Sequence, residues 1–257
     1  MSLATAVPSF QLRQDDVARV SGRVFERGQS DIERLLPVFG NAGIVTRYAC
    51  MPVEWYLEPH GWVERSRLYV EHAVDLLACV ATECLERAGS AVADVDGIVT
   101  VSTTGIATPS LDALVMERLG LRRDMRRLPL FGLGCAGGVI GLSRAAEMVA
   151  AAPGSRVLLL VVELCTLTFR FGDKSNSNIV AAALFGDGAA GALIGDGGDG
   201  PALLGGGAYT WPDSLDVMGW HVEDDGLGVL FSRDIPAMVR RDLPPVLDAF
   251  LARHRLQ

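Results

Sequence analysis

RLPLFGLGCAGGVIGLSRAAEMVAAAPGSRVLLLVVE, residues 127–163, decides how this chain folds. An apolar run leads into a glycine-rich turn that carries Cys135, and a helix-like run from Ala136 to Ala152 follows. Pro153-Gly154 breaks that run, and Arg156 to Val162 then reads as a buried strand. Strand, turn, helix and strand in this order is the unit from which α/β folds are built.

The pattern repeats outward from this stretch. Upstream, Val63 to Gly89 has apolar residues at helical spacing and ends in a glycine stop. Gly97 to Ser102 is a β-branched strand running into a Thr-Thr-Gly turn, and residues 109–120 form a second helix with Pro109 at its start and Gly120 at its end. Downstream, the loop FRFGDKSNSN precedes AALFGDGAAGALIGDG, which reads as a helix end or turn flowing into a strand through a glycine-rich bend. The glycine-rich stretch 194–207 connects to GVLFSRDIPAMVRRDLPPVLDAFLARHRLQ, a strand and a helix. The expectation is an α/β fold around a buried, largely parallel sheet. Residues 1–207 would form the part carrying Cys135, and 208–257 the start of a second part.

Composition narrows the function classes. The chain has 257 residues, 49% hydrophobic and 21% charged, with a net charge of −8, and a mean hydropathy of +0.29. That is enough apolar sequence for a substantial core, and disorder is not expected. The negative charge argues against nucleic acid as a partner. Apolar runs such as Val157 to Val162 are far below the ~20 residues that span a bilayer, and the N-terminus lacks a signal-peptide pattern. Five cysteines without a CxxC pair argue against a disulfide framework or a metal site and fit a reducing cytoplasm.

A thiol reacts only as its thiolate, and an ordinary cysteine has a pKa of about 8.5. The N-terminus of a helix supplies positive potential and unpaired N–H groups, which favour the thiolate and can hold a thioester oxygen. Cys135 has that setting. The glycines around it permit strained backbone angles and close approach, as in a nucleophile elbow. The alternative from the local pattern is a small apolar residue at a tight helix–sheet contact. A catalytic thiolate also needs a proton-handling partner, usually histidine. His60, His72, His221 and His254 each stand in a context that reads as structural.

Several segments together resemble the type III polyketide synthases, the chalcone synthase-like group of the thiolase superfamily. They are STTGIATPS (102–110), GLGCAGGVIGLSRAAE (132–147), VELCTLTFR (162–170), SNSNIVAAALFGDGAA (175–190) and GWHVEDDGLGVLFSRDIP (219–236). Their wording is most similar to bacterial alkylpyrone and alkylresorcinol synthases. The resemblance implies a thiolase-like α/β fold with αβαβα layers, present as the N-terminal half plus the start of the second half.

Residue by residue, the resemblance implies that Cys135 takes the acyl starter from coenzyme A. Phe185 would be the gatekeeper between the CoA tunnel and the reaction cavity. Thr103, Thr104, Cys165, Thr168 and Val229 would line the acyl cavity. Arg34 would meet the CoA phosphates, while Pro37 and Asn41 replace basic residues of the plant enzymes. Acyl-CoA and malonyl-CoA are the implied substrates, no tightly bound cofactor or metal is implied, and a homodimer is.

The implied cycle loads an acyl starter onto Cys135, decarboxylates malonyl-CoA beside Phe185, condenses the two and cyclises the product. In the family, a histidine in an HPGG motif and a later asparagine complete the site. By motif spacing that histidine would fall about ten residues beyond Gln257, so these 257 residues by themselves are expected to condense little. Three other readings fit the residues. They are a non-catalytic half-fold that pairs with a longer relative, a cysteine hydrolase using His221, and a ketoacyl synthase-type condensing enzyme.

Overall fold

A computed structural model of the chain describes residues 2–25, 37–197 and 200–256. In chain order the elements are β1 (Ser2–Ala6), β2 (Phe10–Arg13), α1 (Gln14–Val24), α2 (Pro37–Asn41), β3 (Thr46–Ala49) and α3 (Trp62–Ala88). Then come β4 (Gly97–Val101), α4 (Leu111–Leu119), β5 (Arg126–Leu130), α5 (Gly137–Ala150) and β6 (Arg156–Leu164). The last are α6 (Asn176–Leu184), β7 (Asp187–Gly195), β8 (Met218–Glu223), β9 (Gly226–Phe231) and α7 (Ile235–Arg253).

Five strands form the main sheet in the order β1-β7-β6-β4-β5. β4 runs parallel to both β5 and β6, as the strand–helix–strand pattern requires. β7 and β1 are antiparallel to their neighbours, so the sheet is mixed where a largely parallel one was expected. The reason is local. Only the short helix α6 lies between β6 and β7, and the chain returns from it beside β6 in the opposite sense, with Leu164 facing Asp187 at the near end of the ladder.

Both faces of the sheet are covered, which explains why β6 reads as a continuous apolar run. Leu158, Leu160, Val162 and Leu164 point to one side, into a core shared with Leu77, Val80, Ala81 and Cys84 of α3. Val157 and Leu159 point to the other, against Ala145 and Val149 of α5. Each such fully buried aliphatic side chain contributes about 1.5–3 kcal/mol. α3 stops at Gly89, whose left-handed backbone (φ 59°) lets Gly89 and Ser90 donate back to Glu86 O and Leu85 O.

Three boundaries differ from expectation. α4 begins at Leu111, with Ser110 as its extended N-cap and Pro109 outside the helix. The helix after Cys135 opens as a 3-10 turn over Gly134–Ala136 and ends at Ala150. The strand expected near Gly228 is half of a hairpin, β8–β9, whose first strand the sequence pattern hides among polar residues. Beyond the hairpin, α7 has no buried residue, and Val239, Leu243 and Leu247 form an exposed stripe along it.

Candidate active site

β5 ends at Leu130, and the chain turns sharply through Gly132 (φ 82°) and Gly134 (φ 53°), angles that strain any residue with a side chain. Cys135 follows in the 3-10 turn that runs directly into α5, and it is exposed. The helix behind it lies unusually close to the sheet. A Cβ on Gly137 would stand 2.6 Å from Val101 Cγ1, and one on Gly141 would stand 2.8 Å from Val101 Cγ2 and 2.9 Å from Leu159 Cδ1.

The STTG segment at the end of β4 fastens this turn from below. Thr103 Oγ1 accepts from Gly134 N at 3.1 Å. Thr103 N donates to both oxygens of Glu163 at 3.0 Å, and Thr104 Oγ1 donates to Glu163 Oε2 at 2.8 Å. Thr104 Oγ1 also accepts from Leu164 N at 2.8 Å. Ser102 Oγ accepts from Tyr69 OH at 2.8 Å, and Gly105 lies flush against the Tyr69 ring. Burial raises the pKa of Glu163, with the Thr103 and Thr104 donors working against it. Burial likewise pushes Tyr69 up to about 12.

An apolar cleft of about 630 Å³, including its open mouth, lies between α1, α6 and the turn Cys165–Thr168. Cys165, Thr168, Phe185 and Val229 line it together, with Val17, Val20 and Val24 of α1 opposite. The Phe185 ring meets Phe231 edge to face, with centroids 6.4 Å apart. Asp187 is buried beside the cleft and accepts from Cys50 N (2.9 Å), Thr166 N (2.8 Å) and Thr166 Oγ1 (2.5 Å). Tyr56 OH completes the chain by donating to Thr166 Oγ1 at 2.7 Å. Burial raises the pKa of Asp187, and burial followed by the Asp187, Glu163 and Cys135 charges raises that of Cys165.

Residues 1–198 match the family description "chalcone and stilbene synthases, N-terminal domain". The chain belongs to the chalcone and stilbene synthase family. A relative from Bacillus subtilis (strain 168), named as of chalcone synthase type, is 37% identical over all of this chain and 74% of its own length. The 1,3,6,8-tetrahydroxynaphthalene synthase of Streptomyces peucetius subsp. caesius is 35% identical over 98% of this chain and 68% of its own. The crystal structure of 1,3,6,8-tetrahydroxynaphthalene synthase from Streptomyces coelicolor A3(2), a bacterial type III polyketide synthase, superposes with a TM-score of 0.92. It shares 29% identity and is covered over 98% of this chain and 72% of that one. The fold is therefore the thiolase-like fold of the type III polyketide synthases.

Within this chalcone synthase-type fold, the expected site residues fall into two groups. Cys165, Thr168, Phe185 and Val229 share the cleft, whose described lining does not include Cys135. Thr103 and Thr104 are buried under the Cys135 turn and are absent from the cleft lining, their hydroxyls being bonded to Gly134, Leu164 and Glu163. Arg34 lies outside the described residues. His60 is stacked on Trp55 and hydrogen-bonded to Glu64, and His254 lies against Phe250. No histidine lines the cleft.

Sequence reasoning missed Glu163, Asp187, Tyr56 and Arg47. Only Glu163 left a signal, as a carboxylate near the end of an otherwise apolar strand. The others are bonded to residues far away in sequence, 110 positions for Tyr56–Thr166 and 137 for Cys50–Asp187.

Proposed function

We propose that this chain carries the acyl-loading part of a type III polyketide synthase site, with Cys135 as the nucleophile. The observation that carries the reading is the exposed Cys135 in the 3-10 turn that leads into α5, where the unpaired N–H groups of the helix start can receive a thioester oxygen. The thiolate attacks an acyl-CoA carbonyl and expels the CoA thiolate. Malonyl-CoA then loses carbon dioxide beside Phe185, and the resulting enolate attacks the Cys135 thioester, forming the new carbon–carbon bond and releasing the cysteine. After a few rounds the chain cyclises to an alkylpyrone or alkylresorcinol.

The apolar lining of the cleft favours an aliphatic starter, which Cys165, Thr168 and Val229 would border. Thr103 and Thr104 would act on the acyl group through the turn they support. Arg34 is assigned to the CoA phosphates. The reading takes residues 1–207 as the nucleophile-bearing half and 208–257 as the start of the second, in a homodimer in the cytoplasm. Among the described residues no helix is long and apolar enough to cross a membrane. Condensation needs an imidazole beside Cys135 to handle the proton, and among the described residues no histidine lines the cleft.

The test is intact-protein and peptide mass measurement after incubation with a long-chain acyl-CoA. Acyl mass on the Cys135 peptide, one equivalent of released CoA, and loss of both in Cys135→Ala are expected. A Cys135 peptide without acyl mass would sink the reading.

A further inference from the structure

Arg47 of β3 is buried, only 8% exposed, and no carboxylate hydrogen-bonds to it among the described residues. Its donors go to the C-terminal end of α6. Nη1 donates to Ala182 O at 2.6 Å and to Phe185 O at 2.7 Å. Nη2 donates to Ala183 O at 2.8 Å and to Gln14 Oε1. Nε is buried and has no hydrogen-bond partner among the described residues. Desolvation lowers the pKa of Arg47 to about 10, opposed by the charge of Asp187. A buried guanidinium is thus held by three backbone carbonyls and the side-chain oxygen of Gln14 rather than by a hydrogen-bonded carboxylate, an arrangement that stability by itself does not favour.

The same strand grips the next two residues. A Cβ on Gly186 would lie 3.3 Å from Arg47 Cβ and 3.5 Å from Tyr48 O, so the two chain segments pack closely here. Asp187 accepts from Cys50 N and carries the contact on to Thr166, in the turn that presents Cys165 and Thr168 to the cleft. Arg47 to Cys50 therefore holds Phe185 to Asp187 from both flanks.

We propose that Arg47 is a positioning residue for Phe185: by binding the carbonyls of residues 182, 183 and 185 it sets where the Phe185 ring stands at the cleft edge. In doing so it sets the width of the cleft mouth that an acyl thioester would pass. The second step rests on the reading of Phe185 as a gate; the first does not. Three diverging carbonyls suit a planar, forked guanidinium, and the single ammonium of lysine meets fewer of them.

Fluorine NMR on protein labelled with 4-fluorophenylalanine tests this, with the Phe185 resonance assigned by Phe185→Leu. Arg47→Lys and Arg47→Met are expected to shift or broaden that resonance by more than its linewidth and to leave Phe250 unmoved. The acyl-CoA concentration that half-saturates Cys135 acylation is expected to rise about tenfold or more, as for a small misplacement near a reacting centre. Alkylation of the exposed Cys135 by iodoacetamide should be unchanged. If Arg47→Met does not fold, Arg47→Lys carries the test. An unmoved Phe185 resonance in folded Arg47→Lys overturns the proposal, as does an equal shift of Phe250. Absence of acylation in the unsubstituted chain counts against the loading reading alone, because the fluorine signal still decides the role of Arg47.

Discussion

Glu163 supports the Cys135 turn through Thr103 and Thr104. Its carboxylate takes three hydrogen bonds from Thr103 and Thr104, and Thr103 passes that support to Gly134, next to Cys135. Its raised pKa has a definite sign in stability. A carboxyl raised on folding contributes stability that is full below its unfolded pKa and is lost as pH rises through the folded value. Denaturant midpoints of the unsubstituted chain should therefore fall between pH ~4 and pH ~7 by more than those of Glu163→Gln, in which this ionisation is absent. Parallel curves would refute the assignment. Cys135 was legible in the sequence because its glycines surround it locally. The roles of Glu163 and Arg47 were not, because their partners lie 60 and 138 positions away, and the only local trace is a carboxylate near the end of the apolar strand β6.

At the scale of elements, the glycines of α5 divide by role. Gly132 and Gly134 adopt left-handed angles in the turn, whereas Gly137 and Gly141 are helical and let α5 sit against Val101 and Leu159. Gly141→Ala should destabilise the chain by about 1–3 kcal/mol through overpacking, less any gain in helix propensity. Gly138→Ala is the contrast, since its Cβ would meet nothing nearer than Val161 at 4.0 Å. It should be neutral or stabilise by up to about 1 kcal/mol. Chemical denaturation of the two variants separates close packing from backbone freedom. The positions of β4, α4, α5 and β6 were legible because alternation and helical periodicity are local properties. The hairpin strand β8 was not, because its alternation of Met218, Trp220 and Val222 with Gly219, His221 and Glu223 spans only six residues and buries neither face.

For the whole molecule, Arg65 joins parts that the chain leaves far apart. It lies buried in α3 and donates to His60 O, Leu167 O, Phe169 O and Asp225 O, tying the cleft turn and the β8–β9 hairpin to the longest helix. Gly226 (φ 137°) lets the hairpin approach, since a Cβ there would lie 3.0 Å from Arg65 Nη2. Arg65→Met should lower the unfolding free energy by about 2–4 kcal/mol, because it strands buried carbonyls. It should also speed Glu-C cleavage after Glu223, and unchanged cleavage would show the hairpin to be held by other contacts. The sequence by itself determined the α/β architecture, the strand–Cys135–helix turn and the family, because hydrophobic period, turn residues and motif wording are all written in contiguous residues. Tertiary structure alone decided the antiparallel placement of β7 and β1, and the gathering of Cys165, Thr168, Phe185 and Val229 around one cleft. It alone decided the buried Arg47, Glu163 and Asp187 that hold the site in place. Each of these depends on hydrogen bonds and packing between residues distant in the chain, which exist only once the layers have closed on one another.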